Sequence, residues 1–120
     1  MEEIKIKYKQ FVICPRKPKM SKGKMASQVA HATFMALGNQ KDKKLIGKWE
    51  KEGMCVIVLQ CKTPLELFGI AKYLEQWSIP HHLYIDEGIT EVEMGTPTAL
   101  ATGVMTEEQF WMLGTLELFK

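Results

Sequence analysis

Residues 21–32 read SKGKMASQVAHA and predict the helix around which the rest of the chain is arranged. At about 100° per residue, such a helix gathers small and apolar residues on one side: Ala26, Val29, Ala30, Thr33 and Leu37. Lys24, Gln28 and His31 lie together on the opposite side. Because small residues let a helix lie close to a sheet, we predict that the first side packs and that the second carries the chemistry.

Lys24 falls in the first turn of this helix, after Gly23 has turned the chain sharply into it. The positive end of the helix macrodipole disfavours a cation at that position. A lysine kept there indicates that an anion binds nearby. The alternative is that Lys24, Gln28 and His31 are only the solvated side of an amphipathic helix, and this stretch alone leaves both interpretations open.

Length and composition predict one cytoplasmic domain. We expect residues 1–120 to form a single domain, because 120 residues suffice for one hydrophobic core. The N-terminal segment MEEIKIKYKQ is charged throughout, and no apolar run reaches the roughly 18 residues of a membrane span. Cys14, Cys55 and Cys61 lack CxxC spacing, so we expect buried free thiols and no metal site.

Charge is distributed unevenly along the chain. Residues 1–60 carry thirteen Lys or Arg and five Asp or Glu, whereas residues 61–120 carry three and nine. The most basic segment precedes the helix and contains Arg16, Lys17, Lys19 and Lys22, followed closely by Lys24. This cluster suits a polyanion such as a nucleic-acid backbone. A solvated, lysine-rich loop is the alternative.

Apolar and β-branched runs predict five strands: residues 8–14, 54–60, 82–85, 97–104 and, at a sheet edge, 115–119. The first helix should reach residue 37, and a second should span residues 42–52. Thr63, Pro64 and Glu66 predict a capping box that opens a third helix, which ends before Ser78. Residues 106–109, TEEQ, predict another capping box and a short helix through residue 113.

The resulting order βααβαββαβ predicts an α/β fold. Helices between strands favour parallel pairing with helices on both faces, and the consecutive late strands favour an antiparallel addition. We therefore predict a three-layer α/β/α sandwich around a mixed, mostly parallel sheet of four to five strands.

Familiar catalytic motifs are missing from the sequence. Gly23 and Lys24 do not form a P-loop, because Met25 stands where a hydroxyl is needed and no glycine lies five positions before Gly23. The nucleophile elbow GxSxG and the zinc motif HExxH do not occur. Covalent serine chemistry and metalloprotease chemistry are therefore unsupported.

The remaining polar residues form one candidate set: Lys24, Gln28 and His31 on the helix, Asp86 at the end of a predicted strand, and Thr90, Thr96 and Thr98 after it. Together they offer a cation for an oxyanion, a carboxylate that orients or deprotonates water, and hydroxyl donors. This chemistry fits hydrolysis of an ester or amide. In the alternative, Asp86 bonds turn amides, the threonines cap strands and His31 is structural.

Three segments, GKMASQVAHA at residues 23–32, DEGIT at 86–90 and GTPT at 95–98, occur in an order and spacing that resembles the type II peptidyl-tRNA hydrolases, the archaeal and eukaryotic type. The resemblance extends from about residue 11 to residue 119. It implies a compact α/β/α domain that hydrolyses the ester between a peptide and the 3′ ribose of tRNA. It also implies that no metal or cofactor takes part and that the protein is often a homodimer.

The resemblance assigns roles to the candidate residues. It implies catalytic roles for Lys24, Asp86, His31 and Thr90, with Lys24 stabilising the oxyanion and Asp86 positioning or activating water. The expected substrate-binding residues are those of the same site and of the basic segment: Gln28, Thr96, Thr98, Arg16, Lys17, Lys19 and Lys22.

Several positions depart from the family pattern. Lys17 stands where the family has an acidic residue, Glu87 replaces the alanine of its DAG turn, and Glu91 replaces a glutamine. These departures support an alternative function, in which a catalytically impaired family member acts as an RNA-binding or protein-binding module.

Overall fold

The computed structural model describes residues 5–86 and 95–120 of the chain. Four strands form one sheet: β1 (Tyr8–Pro15), β2 (Val56–Cys61), β3 (His81–Ile85) and β4 (Pro97–Thr106). Their order in the sheet is β2-β1-β4-β3. Strands β1 and β2 are parallel, whereas β4 is antiparallel to both β1 and β3.

This sheet confirms the predicted α/β class and the mixed pairing, but the expectation of mostly parallel pairing is wrong. No helix separates β3 from β4 in the chain order of the described elements. Strand β4 therefore returns antiparallel to β3, and it also lies beside β1, so that two of the three pairings are antiparallel.

Three α-helices and one 3₁₀ helix complete the described fold: α1 (Lys22–Asn39), α2 (Lys43–Lys51), α3 (Pro64–Gln76) and the 3₁₀ helix Glu107–Leu113. Ser21 caps α1, because its hydroxyl accepts a hydrogen bond from the Lys24 amide at 3.2 Å. Asp42 caps α2 in the same way through the Lys44 and Leu45 amides. No helix of the described residues is long and apolar enough to cross a membrane.

The two predicted capping boxes have different outcomes. Thr106 and Gln109 form the predicted box at the start of the 3₁₀ helix. At α3, Pro64 occupies the first turn as expected, but Thr63 makes no side-chain cap bond. Glu66 instead accepts a hydrogen bond from the amide of Lys62 at 3.0 Å. The helix prediction is confirmed there and the capping box is wrong.

The sheet is covered on both sides, which confirms the three-layer arrangement. On the α1 face, Ala32 and Ala36 pack against a set of small and β-branched residues: Val12, Cys14, Ala99 and Ala101. On the α3 face, Leu67 and Leu74 pack against larger side chains, which include Ile13, Leu59, Leu100 and Met105. Side chains that alternate along β1 therefore enter two different cores.

The predicted packing side of α1 is wrong for Ala26 and Ala30, although Val29 packs against the core as expected. The buried residues of α1 are Gln28, Ala32 and Ala36, whereas Ala26 and Ala30 are exposed. The polarity pattern placed Gln28 outside, but its side chain is hydrogen-bonded within the fold and is therefore buried without an unmet polar group. Gln28 thus lies on the side of α1 that packs and Lys24 is half-buried beside it, whereas His31 is exposed.

The predicted fifth strand, residues 115–119, is not a strand in this structure. One isolated antiparallel bridge joins Leu118 to Leu59 of β2. Two hydrogen bonds of 2.9 Å, from the Gln60 amide to Glu117 O and from the Phe119 amide to Val58 O, hold the segment at the sheet edge. The edge position is as predicted, but the pairing is too short for a strand.

All three cysteines are free thiols, as expected. Cys14 and Cys61 are buried, and Cys55 is half-buried. Burial raises the pKa of Cys14 to about 12. It also raises the pKa of Cys61 to about 11. The two buried thiols therefore stay protonated at neutral pH.

Candidate active site

Lys24 and Asp86 form a buried ion pair at one end of the sheet. Lys24 lies in the first turn of α1, and Asp86 follows the last residue of β3. The Lys24 Nζ and Asp86 Oδ1 atoms are 3.0 Å apart, and the two side chains are only 9% and 6% exposed. In such a water-poor environment a charge acts more strongly on a neighbouring group than it does in water. The anion expected at Lys24 is thus, in the folded chain, the carboxylate of Asp86.

The backbone fixes the position of Asp86. Its amide donates a hydrogen bond of 2.8 Å to Thr96 O, and its carbonyl accepts one of 2.8 Å from the amide of Gly95. Gly95 has a φ of 85°, a conformation that favours glycine. Thr96 therefore contributes to the site through its backbone, and this contact holds the carboxylate in place before a substrate binds.

The second carboxylate oxygen of Asp86 has a different environment. Asp86 Oδ2 is buried and receives no hydrogen bond from the residues that the structure describes. A buried carboxylate oxygen without a donor is costly, because it has lost its hydration. It is also a strong acceptor for the O–H group of a water molecule or a substrate. Within the part of the chain that the structure describes, Asp86 thus holds Lys24 through Oδ1, and its Oδ2 has no donor.

Gln28 and Thr98 form a second polar pair behind the first. Gln28 lies one helical turn after Lys24, and its Nε2 donates a hydrogen bond of 2.7 Å to Thr98 Oγ1. The two residues are only 2% and 1% exposed. This bond fixes the start of α1 against β4, so it sets how far Lys24 lies from the sheet.

His31 contacts Tyr84, a residue that the sequence reasoning missed. Their rings are stacked with centroids 4.8 Å apart and planes 6° apart. His31 is exposed on α1, and Tyr84 is half-buried on β3. The alternation of β3 could have identified Tyr84, because a residue two positions before Asp86 points to the same face of the sheet.

The basic segment, residues 16–22, follows β1 and precedes α1. Arg16, Lys17, Lys19 and Lys22 are exposed there. Arg16 is the most constrained of them, since its Nη1 donates to Gln60 Oε1 at 2.9 Å and to Lys120 O at 3.1 Å. The structure thus places these cations at the same end of the sheet as Lys24.

Three sequence features lie outside the described residues. They are Thr90, which was expected to be catalytic, and the departures Glu87 and Glu91. Of the other predicted site residues, the structure brings Lys24 to Asp86 and Gln28 to Thr98. His31 instead contacts Tyr84.

These features define a class of protein: a small three-layer α/β domain with a buried lysine and carboxylate pair beside an exposed basic segment. Lys24 is paired with one oxygen of the Asp86 carboxylate, and the other oxygen receives no hydrogen bond from the described residues. Such a pair is suited to acid–base and oxyanion chemistry. The basic segment is suited to a polyanionic substrate.

Comparison with known proteins gives the family. The model of the family described as peptidyl-tRNA hydrolase PTH2 matches residues 8–119. A peptidyl-tRNA hydrolase of Thermococcus onnurineus is 41% identical over 104 residues, which cover 85% of this chain and 88% of that protein. The namesake of Methanopyrus kandleri is 37% identical over 85% of this chain and 89% of its own length. That of Haloquadratum walsbyi is 35% identical over 92% and 99%. The chain belongs to the peptidyl-tRNA hydrolase PTH2 family, which confirms the resemblance predicted from its sequence.

Proposed function

We propose that the chain is a peptidyl-tRNA hydrolase, which cleaves the ester between a peptide, or an N-blocked amino acid, and the 3′ ribose of tRNA. The observation that carries the proposal is the buried pair of Lys24 and Asp86. Family membership supports the choice of substrate, because the matched relatives bear this name. The products are a free peptide acid and a tRNA with a free 3′ hydroxyl.

In the proposed reaction, a water molecule donates a hydrogen bond to Asp86 Oδ2 and attacks the ester carbonyl. The Lys24 ammonium stabilises the negative charge that forms on the carbonyl oxygen. The bond from the carbonyl carbon to the ribose oxygen then breaks, and the ribose oxygen takes up the proton that the attacking water has lost. No step of this proposed reaction uses a metal ion or cofactor.

The remaining site residues position the reacting groups. The hydrogen bond of Gln28 to Thr98 keeps α1 against β4, and the Thr96 carbonyl holds the backbone of Asp86. Thr90 is proposed, with Thr98, to orient the ester, as the family resemblance implies.

A catalytic role of His31 stays a prediction. His31 lies seven residues after Lys24, which corresponds to about 10 Å along an α-helix. A His31→Gln variant tests its role. A proton-transfer role predicts a lower kcat and a changed pH dependence, whereas a packing role against Tyr84 predicts a change in stability alone.

The basic segment is proposed to hold tRNA phosphates through Lys17, Lys19 and Lys22. Binding that depends on such contacts releases counterions from the RNA. It weakens steeply as the salt concentration rises, because that release is then less favourable. We also propose, from the family resemblance, that the enzyme acts in the cytoplasm and forms a homodimer. Its three free thiols suit a reducing compartment, and light scattering at several protein concentrations tests the dimer.

The experiment that tests the function is single-turnover hydrolysis of an N-acylated aminoacyl-tRNA by the purified protein. The matched control substrate is the same aminoacyl-tRNA without the acyl group. We expect release from the blocked substrate and little from the unblocked one. Binding of tRNA without release would contradict the proposal and favour the binding module instead.

A further inference from the structure

A cavity of about 410 Å³ lies beside the basic segment, between the start of α1 and the C-terminal residues. We call it the basic cavity, after the cations that line it: Arg16, Lys19, Lys22 and Lys120. Met20, Met25 and Phe119 supply most of its apolar lining. The cavity therefore combines positive charge with aromatic and thioether surface.

The aromatic wall of the basic cavity is held in place. The Phe119 amide donates a hydrogen bond of 2.9 Å to Val58 O, which fixes the residue against β2. The Arg16 guanidinium lies over the Phe119 ring, with its carbon 5.7 Å from the ring centroid. Aromatic rings and guanidinium planes are the groups on which proteins stack unpaired RNA bases.

The charge of the basic cavity distinguishes it from the larger cavity on the α3 face. That second cavity, of about 600 Å³, is lined by Glu66 and by mostly apolar residues, and it has no basic residue among its described lining. Among the described residues, no acidic side chain lines the basic cavity. A polyanion therefore favours the basic cavity over the other one.

The position of the basic cavity relates it to the ion pair. Arg16 follows the last residue of β1, and Asp86 follows the last residue of β3. Both strands are antiparallel to β4, which lies between them, so their C-terminal ends lie at the same end of the sheet. Neighbouring strands are about 4.8 Å apart, and the two strand ends are thus about 10 Å apart.

We propose that the basic cavity binds an unpaired nucleotide of the tRNA acceptor end, while the terminal ester lies at Lys24 and Asp86. This inference rests on the proposed function. The nucleotide's phosphate contacts Lys19 and Lys22, and its base packs against Phe119 and Arg16. The RNA strand then enters from the β1 and β2 side, and the peptide leaves past β3, beside His31 and Tyr84.

Methionine methyl groups provide a direct test, because Met20 and Met25 line the basic cavity. We would titrate the protein, labelled with carbon-13 at its methionine methyls, with a short single-stranded oligoribonucleotide of the tRNA 3′-terminal sequence. The expected result is a large shift of the Met20 and Met25 resonances. Met54 and Met105, outside the cavity, should move little. Unchanged Met20 and Met25 resonances when the RNA is saturating would overturn the proposal.

A titration with adenosine monophosphate shows whether the basic cavity requires an RNA strand or binds any single nucleotide equally well. We expect the oligonucleotide to shift Met20 and Met25 at concentrations at which the mononucleotide does not. An equal response to the mononucleotide at equal concentration would overturn the assignment to the RNA strand. Neither titration involves hydrolysis, so a failure of the enzymatic activity does not affect the outcome.

Charge and stacking variants provide the second test, with binding of uncharged tRNA as the measurement. Lys19→Ala with Lys22→Ala should weaken binding and reduce its salt dependence. The control variant, Lys44→Ala with Lys51→Ala on α2, removes the same amount of positive charge away from the basic cavity. It should change the affinity for tRNA much less. Phe119→Leu keeps an apolar side chain but removes the stacking surface, and should weaken binding by about 5-fold or more. Equal effects of the two lysine pairs, with Phe119→Leu at wild-type affinity, would contradict the proposal.

Discussion

The two faces of the sheet are packed with side chains of different size and polarity. The α3 face is filled with large apolar side chains, such as Leu67 and Leu74, which are fully buried. On the α1 face, small residues such as Ala32 and Ala36 take their place. Those small residues bring α1 close to the sheet, and buried polar groups lie at its start. The α3 face therefore mainly supplies stability, whereas the α1 face has fewer large apolar contacts and positions the site.

The comparison predicts that substitutions on the two faces have separable effects. Changes of Lys24 and Gln28, the buried polar residues near the start of α1, should reduce hydrolysis more than they reduce tRNA binding. Changes on the α3 face should reduce the free energy of unfolding and leave the activity of the folded protein unchanged.

The largest effect is expected at Lys24. Lys24→Met removes the cation that stabilises the oxyanion, and the single-turnover rate should fall by about 10²- to 10³-fold. Affinity for uncharged tRNA should change little, because Lys24 Nζ is bound to Asp86 rather than exposed. Lys44→Met on α2 is the matched control, with a wild-type rate expected. A Lys24→Met rate within threefold of wild type would remove Lys24 from the chemistry.

The next largest effect is expected on stability at the α3 face. Leu67→Ala leaves a cavity in the core and should lower the free energy of unfolding by about 2–5 kcal/mol, measured by urea denaturation. Leu65→Ala is the control two residues away. Leu65 is 77% exposed, so its substitution should change stability by only about 0.5 kcal/mol. Loss of turnover in folded Leu67→Ala would show that the two faces are not separable.

A smaller effect is expected at the buried pair of Gln28 and Thr98. Gln28→Leu or Thr98→Val alone leaves one buried polar group without its partner and should cost about 1–3 kcal/mol of stability. The two substitutions together remove both polar groups and should cost less than the sum. The rate should nevertheless stay about 10-fold or more below wild type, because α1 is no longer fixed relative to β4. Recovery of the rate in the double variant would reduce this pair to a packing contact.

The smallest expected effect is on the pH dependence of stability, and it comes from the two buried thiols, one in each core. Burial raises the pKa of Cys14 to about 12 and that of Cys61 to about 11, from an ordinary value of 9.0. The thiolate is thus favoured in the unfolded chain. The protonated thiols therefore contribute fully to the free energy of unfolding below about pH 9, and this contribution is lost as the pH rises towards 11 and 12. A thiol reagent at pH 8 should modify Cys14 and Cys61 only on unfolding. Rapid modification of both in the folded protein would contradict their burial.

Much of the fold follows from local sequence signals. Ser21, Asp42 and Pro64 mark the starts of three helices, and the apolar runs mark the four strands. The pairing of β4 could not be predicted in the same way. Whether a late strand adds at an edge or inserts between two others depends on contacts far apart in sequence, which no local pattern contains.

The candidate site was predicted in part. Sequence motifs identified Lys24, Gln28, Asp86 and Thr98, but not which of them are partners, because the hydrogen bonds join residues 62 and 70 positions apart. The packing side of α1 was misjudged for the same reason. Periodicity treats a polar residue as exposed, and only the partner across the sheet shows that Gln28 is satisfied while buried.

Single-turnover hydrolysis by the double variant Lys24→Met with Asp86→Leu decides whether the buried pair takes part in the chemistry. Lys24→Met alone leaves a buried carboxylate without its cation and should cost about 3–5 kcal/mol of stability. The double variant removes both charges, and most of that stability should return. We predict that the restored fold still hydrolyses an N-acylated aminoacyl-tRNA at least about 100-fold more slowly than wild type. A double variant that is stable and hydrolyses at the wild-type rate would show that the buried pair is structural and that the chemistry lies elsewhere.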